Sequence, residues 1–296
     1  MQSATFHEKH RPGPCDQRAI GGLTGACLVL CAVLSACSSP EDIADKTGVT
    51  ATATAAASGS TATATAASAG AEGVSFEDNA EQNNRTREFA YAWPADASAI
   101  PALAQYLTTE RDAAVAEQKT EWAGMLAEAD IEDCGSCYNL SFSKEWKVVA
   151  NLPRFLSLSA DMYFYSGGAH GNSGFDALVW DREAGAAIDP KAMFRSEAAL
   201  QDALGSAWCK ALKAEKQERM GDDFSDDGFF PCPPIADLTL LVGSSNKQSF
   251  NRIGLIAAPY VAGSYAEGPY EVTLPVTPAV LKAVKPEYKT AFAAGT

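Results

Sequence analysis

A strand that runs straight into a glycine-rich turn constrains this chain more than any other stretch. Leu156, Leu158, Ala160, Met162 and Phe164 alternate with Ser157, Ser159, Asp161, Tyr163 and Tyr165, the period of two that a half-buried strand requires. The sequence then passes through Ser166-Gly-Gly-Ala-His-Gly171. Gly167, Gly168 and Gly171 suit a turn that needs positive φ or close backbone approach. His170 sits between them and is the only histidine beyond residue 10. The chain therefore makes a sharp feature here and presents one imidazole on it.

The amino terminus reads as a targeting segment. Arg11 and Arg18 lie in a polar lead before an apolar run from Ala19 to Val33, too short for a comfortable transmembrane helix. The run leads into Leu34-Ser35-Ala36-Cys37, which resembles a bacterial lipobox. Residues 1–36 are thus expected to be a signal peptide, with Cys37 lipidated, palmitate included, as the mature amino terminus. Ser38 stands where an inner-membrane retention Asp would sit. The expected location is the cell envelope, at the outer membrane facing the periplasm, with the lipid as the membrane contact.

Residues 37–84 follow as an expected disordered tether. Its run Thr50–Ala69 contains only Ala, Thr, Ser and Gly. No apolar periodicity is available there to offset the entropy of ordering the chain. The formal net charge of −14 argues against nucleic acid as a partner.

Beyond the tether, helical spacing covers residues 98–128 (Ile100, Leu103, Leu107, Ala114, Trp122, Leu126) and 196–217 (Leu200, Leu204, Trp208, Leu212). Strand patterns occupy residues 87–93, 140–152, 155–165, 176–181, 237–243 and 249–257, and a short helix is expected near 277–284. Runs of strands broken by two long helices give an α+β class. Antiparallel sheets with the two main helices packed on one side, in two closely associated subdomains, are the expected arrangement.

Four cysteines remain in the mature domain: Cys134, Cys137, Cys209 and Cys232. An even number in an exported chain points to two disulfides. Local pairing, Cys134–Cys137 and Cys209–Cys232, is expected. A Cys₄ zinc site would need a second Cys-x-x-Cys knuckle, which the chain lacks. No metal and no cofactor is expected.

The segment Tyr165-Ser-Gly-Gly-Ala-His-Gly171 resembles the Tyr-x-Gly-Gly-Ala-His signature of a family of bacterial envelope domains. Members include the extracellular region of the lysozyme-sensing anti-sigma-V factor and the accessory domain of a peptidoglycan deacetylase. The stretch Ala258-Pro-Tyr-Val-Ala-Gly-Ser-Tyr-Ala-Glu-Gly-Pro-Tyr-Glu-Val-Thr-Leu-Pro275 is similar to the carboxy-terminal signature of the same family, in which a Pro-Tyr and a Tyr-Ala-x-Gly precede a final strand. The resemblance implies a first α+β subdomain over 85–172, ending in the Gly-Gly-Ala-His loop, and a second over 173–290. It implies a binding module for a lysozyme-like protein or peptidoglycan rather than the deacetylase itself. That chemistry uses an Asp-His-His metal site, and one histidine cannot build it.

Ligand contact is accordingly expected at His170, Tyr163, Tyr165 and Tyr265, with Gly167, Gly168 and Gly171 as the structural loop. Tyr260 and Tyr270 complete a candidate aromatic patch. No catalytic residue is assigned. The competing reading is an envelope enzyme acting on peptidoglycan through His170 and a nearby carboxylate, Asp161 or Asp176. The bland reading of the loop is a turn in which His170 bonds backbone.

Overall fold

The alternating stretch at 155–165 becomes the central strand of a seven-stranded sheet. The computed structural model describes residues 71–127, 139–221, 224–225 and 229–295. The expected signal peptide, Cys37, most of the tether, the Cys134–Cys137 pair and the acidic residues Asp222, Asp223, Asp226 and Asp227 lie outside those residues. The strands of the large sheet are β1 (Val74–Glu77), β2 (Ala80–Gln82), β3 (Arg85–Trp93), β4 (Leu140–Asn151), β5 (Phe155–Tyr165), β6 (Asn172–Asp181) and β7 (Ala186–Ile188). They are ordered β1-β3-β4-β5-β6-β7, with β2 also paired to β3. Every pairing is antiparallel except β3 with β4.

The parallel β3–β4 pair follows from what lies between the strands. A parallel neighbour needs a long crossover, and two helices supply it: α1 (Ala95–Ser98) and α2 (Pro101–Ala127). Leu103, Leu107 and Val115 of α2 pack on Phe89, Tyr91 and Trp93 of β3 and on Trp146, Leu156, Leu158, Ala160, Leu178 and Trp180. These strand residues share one face because side chains alternate.

Two buried charges sit on that face: Arg87 of β3, which donates to Gln118 of α2 at 3.1 Å, and Lys144 of β4. Lys144 is 5% exposed. Its ammonium bonds Asp176 of β6 at 2.8 Å, pairs with Glu110 of α2, and lies 4.5 Å from the centre of the Trp146 ring. The Trp146 indole N–H donates to the Tyr91 hydroxyl at 2.8 Å. Burial pushes the Tyr91 hydroxyl pKa well above its ordinary value.

The other face carries a second layer. Strands β8 (Thr239–Gly243), β9 (Arg252–Ala257) and β10 (Tyr270–Pro275) form a three-stranded antiparallel sheet. Helices α3 (Glu197–Met220) and α4 (Pro278–Ala283) join it in one apolar cluster, which also takes Ala150, Phe155 and Val179 from the large sheet. The expected stripe Leu200, Leu204, Trp208 and Leu212 is the buried side of α3. Its first turn is capped by the Ser196 hydroxyl, which accepts the Ala199 N–H at 3.1 Å. Cys209 of α3 and Cys232 are joined in a disulfide with Cα atoms 5.5 Å apart, as expected.

The α+β class read from the sequence holds, with differences in detail. Residues 74–77 and 80–82, expected in the tether, are strands instead. Phe76 packs edge-on to Phe89 at 6.1 Å and lies under the Arg111 guanidinium at 4.4 Å. Two apolar residues in a four-residue strand are too few to register as a pattern. The two long helices, expected on one side, serve separate clusters on opposite faces of the large sheet. The expected 172/173 boundary falls within the β5–β6 hairpin, whose strands pair from Phe155↔Asp181 to Phe164↔Asn172.

Candidate functional site

The β5–β6 turn is built on two glycines that only glycine fits well. Gly167 has φ 90° and Gly168 φ 96°, a region L side chains rarely adopt. The Tyr165 hydroxyl donates to the Gly168 carbonyl at 2.9 Å and ties the turn back to its strand. A Cβ on Gly168 would meet nothing within 4 Å, so its constraint is backbone conformation alone. Gly168→Val is therefore expected to cost about 1–3 kcal/mol through strain, read as a lower urea midpoint with an unchanged m-value. Wild-type stability in that variant would show that the loop relaxes to negative φ at no cost.

Gly171 answers to a different constraint. A Cβ there would lie 2.2 Å from the Tyr163 hydroxyl oxygen and 2.3 Å from the ring carbon that bears it. The Tyr163 ring rests on bare backbone and stays 41% exposed.

The Gly171 carbonyl is the junction of the site. It accepts the Tyr265 hydroxyl at 2.9 Å and lies 2.9 Å from His170 Nδ1. A carbonyl only accepts, so Nδ1 is assigned the proton and the neutral ring keeps Nε2 as an outward acceptor. The His170 and Tyr265 rings stack with centroids 3.9 Å apart and planes 19° from parallel. Tyr260 continues the row, 5.6 Å from Tyr265. It is 52% exposed and holds φ 72°. For a bulky residue that value is costly, and such strain concentrates at functional sites.

The segment that carries these tyrosines is fixed from behind. Glu267 accepts the Ser264 N–H at 2.7 Å and the Tyr270 hydroxyl at 2.6 Å, closing a capping box over Ser264 and Glu267. Burial works against the charged form of Glu267, yet these hydrogen bonds hold its carboxyl below the usual range. Arg219, in the last turn of α3, donates to the Glu267 and Pro269 carbonyls at 2.6 and 2.9 Å. Its guanidinium stacks over Tyr270 at 4.1 Å.

The two stretches singled out in the sequence, ninety-odd residues apart, thus meet at one carbonyl. His170 and Tyr265 touch each other, Tyr163 borders them through Gly171, and Tyr165 braces the turn. Tyr270 leaves the patch, because it is fully buried in the second layer. Neither expected carboxylate serves His170. Asp161 bonds Lys147 at 2.7 Å, and Asp176 bonds Lys144 on the opposite face. Among the described residues, no group of three or more His, Cys, Asp or Glu could hold a metal ion, and no helix is long and apolar enough to cross a membrane.

Sequence reasoning missed Tyr260's conformation, which no local pattern marks. It also missed Lys144, which shares strand parity with Leu140, Phe142 and Trp146 and could have been noticed as a charge on an apolar face.

No curated protein matches this chain. It is similar to a crystal structure of a DUF3298 family protein from Pseudomonas aeruginosa PAO1, at 17% identity and a TM-score of 0.44, covering 76% of this chain and 97% of that one. It is also similar to a member of the DUF3298 family from Bacteroides fragilis NCTC 9343, at 14% identity and a TM-score of 0.37, covering 69% of this chain and 90% of that one. Residues 80–173, from β2 to the start of β6 and including the Gly-Gly-Ala-His loop, match the family described as deacetylase PdaC, a bacterial envelope-associated domain family.

Proposed function

We propose that this chain is a lipid-anchored cell-envelope binding module, held by Cys37 to the outer membrane and facing the periplasm. Its ligand face is His170, Tyr265 and Tyr163, extended by Tyr260 and braced by Tyr165. The observation that carries this reading is the stack of His170 on Tyr265, with the strained, half-exposed Tyr260 next in the row. Exposed aromatic rings held rigidly at low conformational entropy suit a saccharide or the surface of a lysozyme-like protein. The match of residues 80–173 to an envelope-associated family supports the setting. Hydrolytic chemistry through His170 is the weaker reading, since Asp161 and Asp176 are engaged elsewhere.

The test is titration of the mature chain with lysozyme and with soluble peptidoglycan fragments. His170→Ala takes one ring and one acceptor nitrogen from the contact face, worth about 1.5–2.5 kcal/mol to a ligand that stacks on the ring and bonds it. Affinity is expected to fall about tenfold or more, with the melting temperature changed by only a few degrees. Unchanged affinity for every ligand that binds the wild type would remove this face from the account. The anchor is tested separately. Cys37→Ala is expected to accumulate as unprocessed precursor, whereas mature-sized, membrane-retained protein would refute lipidation.

A further inference from the structure

Beside the aromatic row, on the large-sheet face away from α2, lies a trough of about 280 Å³ that the functional reading above does not use. Its polar lining is Glu77, Asn79, Glu88, Ser141 and Ser143, with Tyr163 also on its wall. The residues come from β1, β3, β4 and β5 and from the β1–β2 turn. They share a face because Glu88 pairs with Ser141 and Ser143 pairs with Tyr163 across neighbouring strands. Ala90, Ser141 and Ser143 are small, so the backbone forms the floor and a flat ring could descend onto it.

The polar atoms of this trough are arranged and only partly used. Glu88 Oε2 accepts the Ser141 hydroxyl at 2.8 Å, which orients the carboxylate and leaves Oε1 as an acceptor. Asn79 Oδ1 accepts the Phe89 N–H at 3.0 Å, so the amide's two N–H donors remain. Glu77 adds a second carboxylate, and Lys and Arg are absent from the lining. Acceptors, an amide donor and an aromatic wall, with no cation, disfavour an anion and match the hydroxyls and apolar face of a sugar ring. The volume admits one ring rather than a larger ligand.

The trough is continuous with the loop. Tyr163 lines its wall and also rests on Gly171, whose carbonyl receives Tyr265 and His170. We infer that the trough is a saccharide subsite, and that the ligand of the adjacent aromatic row is a linear, neutral glycan running from the trough across Tyr163 to His170 and Tyr265. This inference rests on the binding reading above and narrows it to one ligand class.

The experiment uses the mature chain and β-1,4-linked N-acetylglucosamine oligomers, from disaccharide to hexasaccharide, by isothermal titration. For the wild type, the hexasaccharide is expected to bind at least tenfold tighter than the disaccharide. Glu88→Gln keeps the shape and the Ser141 contact while weakening the acceptor. Ser143→Phe fills the trough. Each is expected to remove most of the gain with length, at a melting temperature close to wild type. Full length dependence in both variants, with affinity still lost in His170→Ala, would overturn the subsite and leave the loop face standing. No oligosaccharide binding by the wild type, with lysozyme still bound through His170, would overturn the glycan inference alone. Loss of every ligand would overturn both readings.

Discussion

Trp208→Ala is expected to destabilise the folded chain by about 3–5 kcal/mol, the range for truncating a buried aromatic residue. Trp208 is fully buried in the second-layer cluster. Its indole N–H donates to the Pro233 carbonyl at 3.1 Å. Removal therefore leaves a large cavity and an unsatisfied buried acceptor together. The residue also adjoins Cys209, so the cavity opens beside the disulfide. Urea unfolding should show a midpoint far below wild type. Trp208→Phe should recover most of the loss but not the part due to the Pro233 hydrogen bond, about 1 kcal/mol. Equal stability of Trp208→Ala and wild type would mean that the second layer does not unfold with the transition being measured.

Lys144→Ala is expected to cost about 3 kcal/mol near neutral pH. The ammonium is nearly buried between Glu110 and Asp176, whose side chains are 31% and 46% exposed. Removing one partner of such a cluster leaves carboxylates facing each other with no counter-charge, and that is where the loss lies. Their exposure puts the loss at the lower end of the range for buried pairs. Lys144→Met keeps the aliphatic stem over Trp146 and removes the charge, so it should recover only a minor part of the loss. Full recovery in Lys144→Met would show that lost packing on Trp146 is the whole effect.

Much of this fold was legible because its signals are local. The 155–165 strand keeps its expected bounds as β5, although Ser157 of the polar face is buried and Phe164 of the apolar face is left exposed, and the α3 stripe is buried as its spacing implies. What escaped depends on partners distant in sequence. The β4 pattern places Val148 with Leu140, Phe142 and Trp146, yet the register shifts between Val148 and Ala150. Beyond that bulge the parity inverts. Ala150 turns to the second layer and Val148 is left 38% exposed. Strands β1 and β2 escaped because they are short edge pieces whose order comes from β3. The candidate site divides in the same way. Glycines announced the turn, and tyrosines announced an aromatic neighbour. That Tyr265 would land on His170 while Tyr270 sank into the core was decided by Glu267 and Arg219, through contacts no periodicity encodes.

The Gly171 carbonyl has a mechanical consequence. Of the rings that converge on it, His170 is carried by the large sheet, while Tyr265 belongs to the segment that Arg219 ties to α3 in the second layer. The contact surface is therefore a seam, complete only while the two layers are docked. By linkage, a ligand that grips both rings clamps the layers together, and its affinity falls whenever they part. Occupancy of this face would report the integrity of the whole domain, so partial unfolding at the α3 end should silence binding before the large sheet gives way.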